Sequence, residues 1–409
     1  MNRQDADALY RVSSTLTDFG SVPPGVRFMT CFGLATMKTS FVYSDDFSRF
    51  DYGSSHPLKP FRLKLTYDLI KACHLLSSPD TRLVEAPMAR IEDLLTFHAK
   101  DYIDLLRAVN DGQNVAGADT YGLGPGDNPV FHGLFDWSRL IAGASLRAAD
   151  LVDSNEVGLA FNIAGGLHHA HASQASGFCY INDPVLVIKF LINRGRRVAY
   201  IDIDAHHADG VQEAFYDTDK VLTISLHETG QALFPGSGFE YEIGEGVGTG
   251  YNVNIPLPPD TDDEVFVHAF TETVPQLLGV FKPDIIVSQL GVDTFRSDPL
   301  AHLNMTTNGF CHVVRMIKSL ASKWVALGGG GYNIANVARA WTLAWAIMND
   351  SDAPEEIPEA IFLQYPDAGF LGRKLRDEPF IIEGGRKVEM KKEVDRVIKY
   401  IKEHITGRL

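Results

Sequence analysis

Two short stretches hold most of the residues able to do chemistry. One is Gly165-Gly166-Leu167-His168-His169-Ala170, and the other is Ile201-Asp202-Ile203-Asp204-Ala205-His206-His207-Ala208-Asp209-Gly210. Five of the fourteen histidines fall between positions 168 and 207. On an extended chain, side chains two apart point to the same side, so Asp204 and His206 can grip one divalent cation. A catalytic zinc takes about three protein ligands and keeps an open position. The best candidate for the third is Asp293, in Ser288-Gln289-Leu290-Gly291-Val292-Asp293. Two aspartates and a histidine form an oxygen-rich set that suits Zn²⁺ and leaves Fe²⁺, Mn²⁺ or Co²⁺ open.

The adjacent pair His168-His169 can meet two different carboxylates. Asp202 and Asp209 flank the metal motif and are free for that duty. A carboxylate on one ring nitrogen sets the tautomer and raises the basicity of the other nitrogen. One histidine of the pair can then take a proton from water activated by the metal, while the other holds or donates charge as the leaving group departs. Spacing does not say which does which. The run Gly328-Gly329-Gly330-Gly331-Tyr332 lets backbone bend into a crowded cavity and ends in a hydroxyl that can donate to a developing oxyanion. As a phosphate loop it lacks the Lys-Ser/Thr pair and the dinucleotide spacing. Any one of these motifs alone reads as a cap, a salt bridge or a structural histidine. Together they supply ligands, bases, orienting groups and an oxyanion donor for hydrolysis.

These loops need a frame. Short apolar runs predict strands over Val157 to Ala164, Arg197 to Asp204, Val221 to Leu226, Asp284 to Leu290 and Trp324 to Gly328. Continuous apolarity suits strands buried on both faces of a parallel sheet. Helical patterns lie between them, over Leu134 to Val152, Val185 to Asn193, Asp262 to Phe281, Thr307 to Ser322 and Ile334 to Met348. An Asp183 cap followed by a first-turn Pro184 is expected to open the second of these. The alternation implies a three-layer α/β domain with a single, mostly parallel central sheet, and sites in such sheets gather beyond the carboxyl ends of the strands. The organisation reads as a polar extension over residues 1–38, a catalytic domain over 39–385 and a C-terminal amphipathic helix over 386–409 lying on the domain.

With 409 residues, 45% hydrophobic and 22% charged, the chain is an ordinary globular one. Its formal charge of −15 repels phosphate backbones, which argues against nucleic-acid binding. No stretch approaches the apolar length of a membrane span, and the start Met1 to Asp7 lacks the apolar core of a secretory leader. Cys31, Cys73, Cys179 and Cys311 are scattered without a CxxC pair, which predicts a reduced, cytoplasmic setting. Oligomeric state is not readable.

At these residues the sequence resembles the histone deacetylase family, specifically class I-like and bacterial acetoin-utilisation deacetylases. The match runs from about Phe41 to Met348. It includes His56 to Arg62, Tyr121 to Gly124, Gly165 to Asp183, Tyr200 to Phe215, Phe234 to Gly238, Gln289 to Pro299 and Gly328 to Tyr332, with Ser176-Gly177-Phe178-Cys179-Tyr180-Ile181-Asn182-Asp183 the most specific block. The resemblance implies an arginase/deacetylase-like fold and metal-dependent removal of acetyl or acyl groups from protein lysine. It implies zinc on Asp204, His206 and Asp293, with His169 paired to Asp209 as base and acid. It also implies His168 paired to Asp202 as electrostatic partner, and Tyr332 as carbonyl polariser. It implies an acyl-lysine tunnel walled by Phe178 and Phe234, with Gly177 along it, Leu300 at the mouth and Asp127 at the rim. Pro125-Gly126 before Asp127 depart from the usual bulkier neighbours. Arg62 resembles a residue beside an inner channel. Structural K⁺ is implied at an inner site (Asp202, Asp204, His206, Ser225, Leu226) and an outer one (Phe215, Thr218, Val221, Tyr251). The implied partner is an acetylated protein such as acetyl-CoA synthetase. The enzymatic alternative is a small-molecule amidohydrolase such as an acetylpolyamine deacetylase. Leu300 argues against it, since such relatives place an acidic gatekeeper there.

Overall fold

The computed structural model describes residues 38–409, so nearly all of the expected N-terminal extension (residues 1–37) lies outside the described residues. Eight strands form one sheet: β1 (Thr39–Tyr43), β2 (Thr81–Glu85), β3 (Leu159–Asn162), β4 (Val198–Asp202), β5 (Val221–Glu228), β6 (Asn252–Leu257), β7 (Ile285–Gln289) and β8 (Trp324–Leu327). Their order is β2-β1-β3-β8-β7-β4-β5-β6, and every pairing is parallel. The helices are α1 (Phe61–Ala72), α2 (Ile91–Leu94), α3 (Lys100–Asn110), α4 (Leu134–Asp153), α5 (Asp183–Ile192) and α6 (Asp209–Phe215), then α7 (Asp263–Phe281), α8 (Thr307–Leu320), α9 (Ile334–Met348), α10 (Glu359–Gln364) and α11 (Gly385–His404).

The apolar runs explain the middle of the sheet. β3, β4, β7 and β8 are buried along their whole length, as strands covered on both faces by helices must be. Three strands carry no such run. β2 is an edge strand of mixed polarity (Thr-Arg-Leu-Val-Glu) and stays partly exposed. β6 alternates Asn252 and Asn254 with apolar residues and contains Pro256, a turn-like composition. β1 is fully buried but opens on Thr39 and Ser40, which leaves only Phe41 to Tyr43 as an apolar run.

The strand order matters most for the site. From β4 the chain winds through β5 and β6 to one edge, then returns to place β7 on the opposite flank of β4 and β8 beyond it. The boundary between β4 and β7 is therefore a topological switch point, where the loops leaving adjacent strands part and open a crevice. Asp202 pairs with Gln289 at that boundary. The last helix, α11, buries Met390, Val394, Val397, Ile398 and Ile401 against α7 and β6.

Two local expectations need correction. Asp183 does not cap α5; Asn182 does, its side chain accepting from the Val185 N–H at 3.1 Å. The Asp183 carboxylate instead receives the Gly166 and Leu167 N–H groups and the Ser145 hydroxyl, tying α5 to the histidine loop. β4 ends at Asp202, so Asp204 and His206 are not on extended chain. Consecutive Asx turns shape that segment: the Asp202 carboxylate accepts from the Asp204 N–H at 3.0 Å, and the Asp204 carboxylate from the His206 N–H at 3.0 Å.

Candidate metal and catalytic site

Asp204, His206 and Asp293 meet beyond the ends of β4 and β7, all three buried. Their ligand atoms lie within 4.8 Å of one another. His206 Nδ1 is 3.0 Å from Asp204 Oδ1 and 3.0 Å from Asp293 Oδ2. The far oxygen of each carboxylate is anchored. Asp204 Oδ2 accepts from Gln289 Nε2 at 2.6 Å and the Gly330 N–H at 2.7 Å, and Asp293 Oδ1 accepts from the Ala205 N–H at 2.8 Å. One oxygen of each aspartate is thus held by protein donors while the other turns toward His206 Nδ1, the orientation that outer hydrogen bonds impose on metal ligands. Glycine is required at 330, since a Cβ there would stand 2.0 Å from Asp293 Oδ2.

The electrostatics agree with a cation site. Burial and the neighbouring Asp204 charge push the Asp293 carboxyl up to about 7. Burial pulls His206 down, yet hydrogen bonds and charges from both aspartates lift it well above its ordinary range. Two anions in a dry pocket call for a positive charge between them, and a divalent ion supplies it without a proton. The donor set, two carboxylates and an imidazole, fits Zn²⁺ or Fe²⁺.

Beside it, His168 Nδ1 is 2.8 Å from Asp202 Oδ2, which also accepts the Tyr200 hydroxyl at 2.5 Å. His169 Nδ1 is 2.7 Å from Asp209 Oδ1, and the two Nε2 atoms are 3.0 Å apart. Asn182 Nδ2 clamps the loop by donating to the carbonyls of His168 and Ala170. Burial opposes charge on both rings. For His168 the charges of Asp202 and Asp204 more than offset it, raising the imidazole to about 9. For His169, burial plus the adjacent His168 charge lower it to about 4. With each Nδ1 facing its own carboxylate, the pair divides into a ring, His168, whose surroundings favour positive charge and a ring, His169, whose surroundings favour the neutral form.

The remaining expected residues fall around this centre. Tyr332 packs edge-on against His206, and Phe178 edge-on against Tyr332. Gly177 and Phe178, both at positive φ, are the central residues of a tight hairpin in which Ser176 and Cys179 exchange two backbone hydrogen bonds. The Tyr52 hydroxyl secures the Phe178 carbonyl at 2.7 Å. Phe234 is 44% exposed and lies edge-on to His169. The N–H of Leu300 donates to Asp298 at 3.0 Å, and the same carboxylate receives the Tyr332 N–H at 2.7 Å. Asp127 is exposed, and its carbonyl meets His56 Nε2 at 3.1 Å. Arg62 is buried and binds the carbonyls of Gly329 and Gly331, both at 2.8 Å, fixing the glycine run. Ser225 and Leu226 follow in β5 beside the end of β4. Phe215, Thr218 and Val221 line the passage from α6 into β5, and Tyr251 immediately precedes β6.

Sequence reasoning did not assign Gln289, Asp298, Tyr200 or Asn182. Tyr200 lies inside β4, Gln289 ends β7, and Asn182 and Asp298 lie in loops; only Tyr200 and Gln289 carried a signal, a polar group within an apolar run.

The family model described as histone deacetylase domain matches residues 56–348. The acetoin utilization protein AcuC of Bacillus subtilis (strain 168) is 41% identical over 326 residues, covering 78% of this chain and 84% of that protein. Histone deacetylase 1 of Homo sapiens is 39% identical over 331 residues, covering 80% of this chain and 68% of that protein. Among solved structures, an HDAC homolog from Aquifex aeolicus shows a TM-score of 0.82 and 36% identity over 89% of this chain and 100% of that one. An HDAC homolog complexed with SAHA shows a TM-score of 0.81 at the same 36% identity, again over 89% of this chain and 100% of that one. Sequence, fold and domain match agree over most of the molecule, and the chain belongs to the histone deacetylase family of hydrolases.

Proposed function

We propose that the protein is a metal-dependent protein lysine deacetylase, hydrolysing N-ε-acetyl-lysine to lysine and acetate. The observation that carries this reading is the convergence of Asp204, His206 and Asp293 beside two histidines, His168 and His169, each paired to its own carboxylate. Zn²⁺ held by the three ligands, or Fe²⁺ in its place, would supply Lewis acidity toward water and the amide carbonyl. His169 Nε2 takes the proton of the attacking water and later delivers one to the departing lysine nitrogen. Asp209 keeps His169 in the required tautomer, and His168, held by Asp202, contributes fixed positive charge. The Tyr332 hydroxyl donates to the carbonyl oxygen as it gains negative charge. Phe178 and Phe234 offer flat apolar walls to the four-carbon lysine stem, which needs no hydrogen bonds. Gly177 keeps the His169 side open, since a Cβ there would stand 2.4 Å from its ring. Leu300 and Asp127 form the mouth.

K⁺ at the inner and outer sets would add fixed charge beneath the site. We place the enzyme in the cytoplasm, in keeping with free Cys73, Cys179 and Cys311. No described helix is long and apolar enough to cross a membrane. An acetylated metabolic enzyme such as acetyl-CoA synthetase is the first protein substrate to try, and the net charge of −15 disfavours nucleic acid.

The test is acetate release from acetyl-lysine peptides by purified protein, with loss on chelation and recovery on adding Zn²⁺. Turnover of acetylpolyamines with none of acetyl-lysine peptides would select the small-molecule alternative, and two manganese per chain with no deacetylation would reject both.

A further inference from the structure

Two of the clustered histidines, His171 and His207, have no duty in the chemistry above. His207 is satisfied by neutral partners, Ser237 Oγ at 2.9 Å and Gln212 Oε1 at 3.0 Å. His171 faces carboxylates on both ring nitrogens. Its Nδ1 is 2.5 Å from Glu213 Oε2, and its Nε2 is 3.7 Å from Asp209 Oδ2. The other Asp209 oxygen is the one bound to His169 Nδ1 at 2.7 Å, and it also receives the Gly210 N–H at 2.9 Å. Two hydrogen-bonded pairs, His169–Asp209 and His171–Glu213, thus stand in series across a 3.7 Å His171–Asp209 contact, from the buried base to a glutamate 61% exposed at the surface.

We infer that His171, anchored by Glu213, is a positioning residue that fixes the orientation and charge of Asp209 and, through it, the tautomer and aim of His169. The inference rests on the proposed role of His169 as base. A carboxylate gripped at one oxygen can swing about its Cβ–Cγ bond; the His171 ring standing 3.7 Å from the second oxygen limits that swing. Glu213, one helical turn after Asp209 on α6, lies on the same face and holds the imidazole between the two acids. His171 also lowers the Asp209 carboxyl, behind burial, which raises it, and the larger effect of His169.

The experiment is a double-mutant cycle with acetyl-lysine peptide on metal-loaded enzyme. His171→Ala should lower kcat about three- to tenfold with KM unchanged, less than the ~10–100-fold typical when a direct outer partner is lost. His171→Lys should restore most of the loss, since an ammonium can meet both carboxylates. In an Asp209→Asn background, His171→Ala should cost nothing further. The Nδ1-bound proton of His169, followed by NMR without substrate, should shift in His171→Ala and return toward its place in His171→Lys. Glu213→Gln, at an exposed position, should give the same direction with a smaller size and serves if His171→Ala does not fold. An unchanged kcat in His171→Ala, an equal loss in the Asp209→Asn background, or an unmoved His169 proton would overturn the inference. If wild-type protein released no acetate, the deacetylase reading would fall, and the NMR comparison would still decide the array.

Discussion

The floor and the mouth of the site are built on different principles. On the floor, every carboxylate oxygen has a named partner: Gln289 and Gly330 on Asp204, Ala205 on Asp293, Tyr200 and His168 on Asp202. At the proposed mouth, Asp127 presents an exposed carboxylate, Phe234 is nearly half exposed, and the Leu300 N–H donates to the Asp298 carboxylate. The floor is buried, so each unpaired polar atom there costs about 1–3 kcal/mol, and its carboxylates are all paired while Arg62 Nε and Thr294 Oγ1 beside them are not. The mouth is solvated, so its residues can change at little cost. On the proposed function, chemistry is set by the rigid part and substrate choice by the permissive part.

Substitutions test that division, starting with the largest effect on turnover. His169→Ala should lower kcat about 10²–10⁴-fold, the range of a lost general base, measured by acetate release; near-normal turnover would remove His169 from the chemistry. Asp293→Asn should weaken Zn²⁺ binding about 10–100-fold by competition with a chelating dye. It should also raise the melting temperature of metal-free protein, because it removes a charge that burial first, and the neighbouring Asp204 second, disfavour, pushing this carboxyl up to about 7. A drop in that temperature would mean the two carboxylates are not in conflict. Phe234→Ala, at the mouth, should raise KM about tenfold with kcat little changed. A fall in kcat of the same size would show that the wall also aims the reacting bond.

The smallest effect on turnover lies beneath the site. His98 is buried, its Nε2 accepts the Asn182 N–H at 3.1 Å, and burial lowers it from 6.5 to about 4. The unfolded chain therefore binds this proton more readily than the native state between those two values. The stabilisation is present above pH 6.5 and is lost as pH falls toward 4, by up to about 3 kcal/mol in all. Chemical denaturation across that range should show a shallower pH dependence in His98→Gln than in wild type. Equal slopes would place His98 in contact with water.

The buried middle strands were legible because continuous apolar runs leave few alternatives. β1, β2 and β6 were not, since an edge position and the buried asparagines of β6 disguise them. Among the site residues, clustering exposed the histidines and aspartates. Asp298 stayed hidden because a carboxylate in a loop has no signature until its partners are known, and Gln289, a polar end to the apolar run of β7, was passed over.

Residue chemistry alone determined the kind of reaction: oxygen and imidazole ligands for a hard cation, paired histidines with carboxylates, and a tyrosine after four glycines. Only the tertiary structure decided that these groups share a centre. The reason is the order β3-β8-β7-β4, which puts four strands far apart in the chain side by side with their carboxyl ends facing one crevice. Strand order follows from which apolar faces pack best across the whole sheet, and that is a property of the assembled core rather than of any segment.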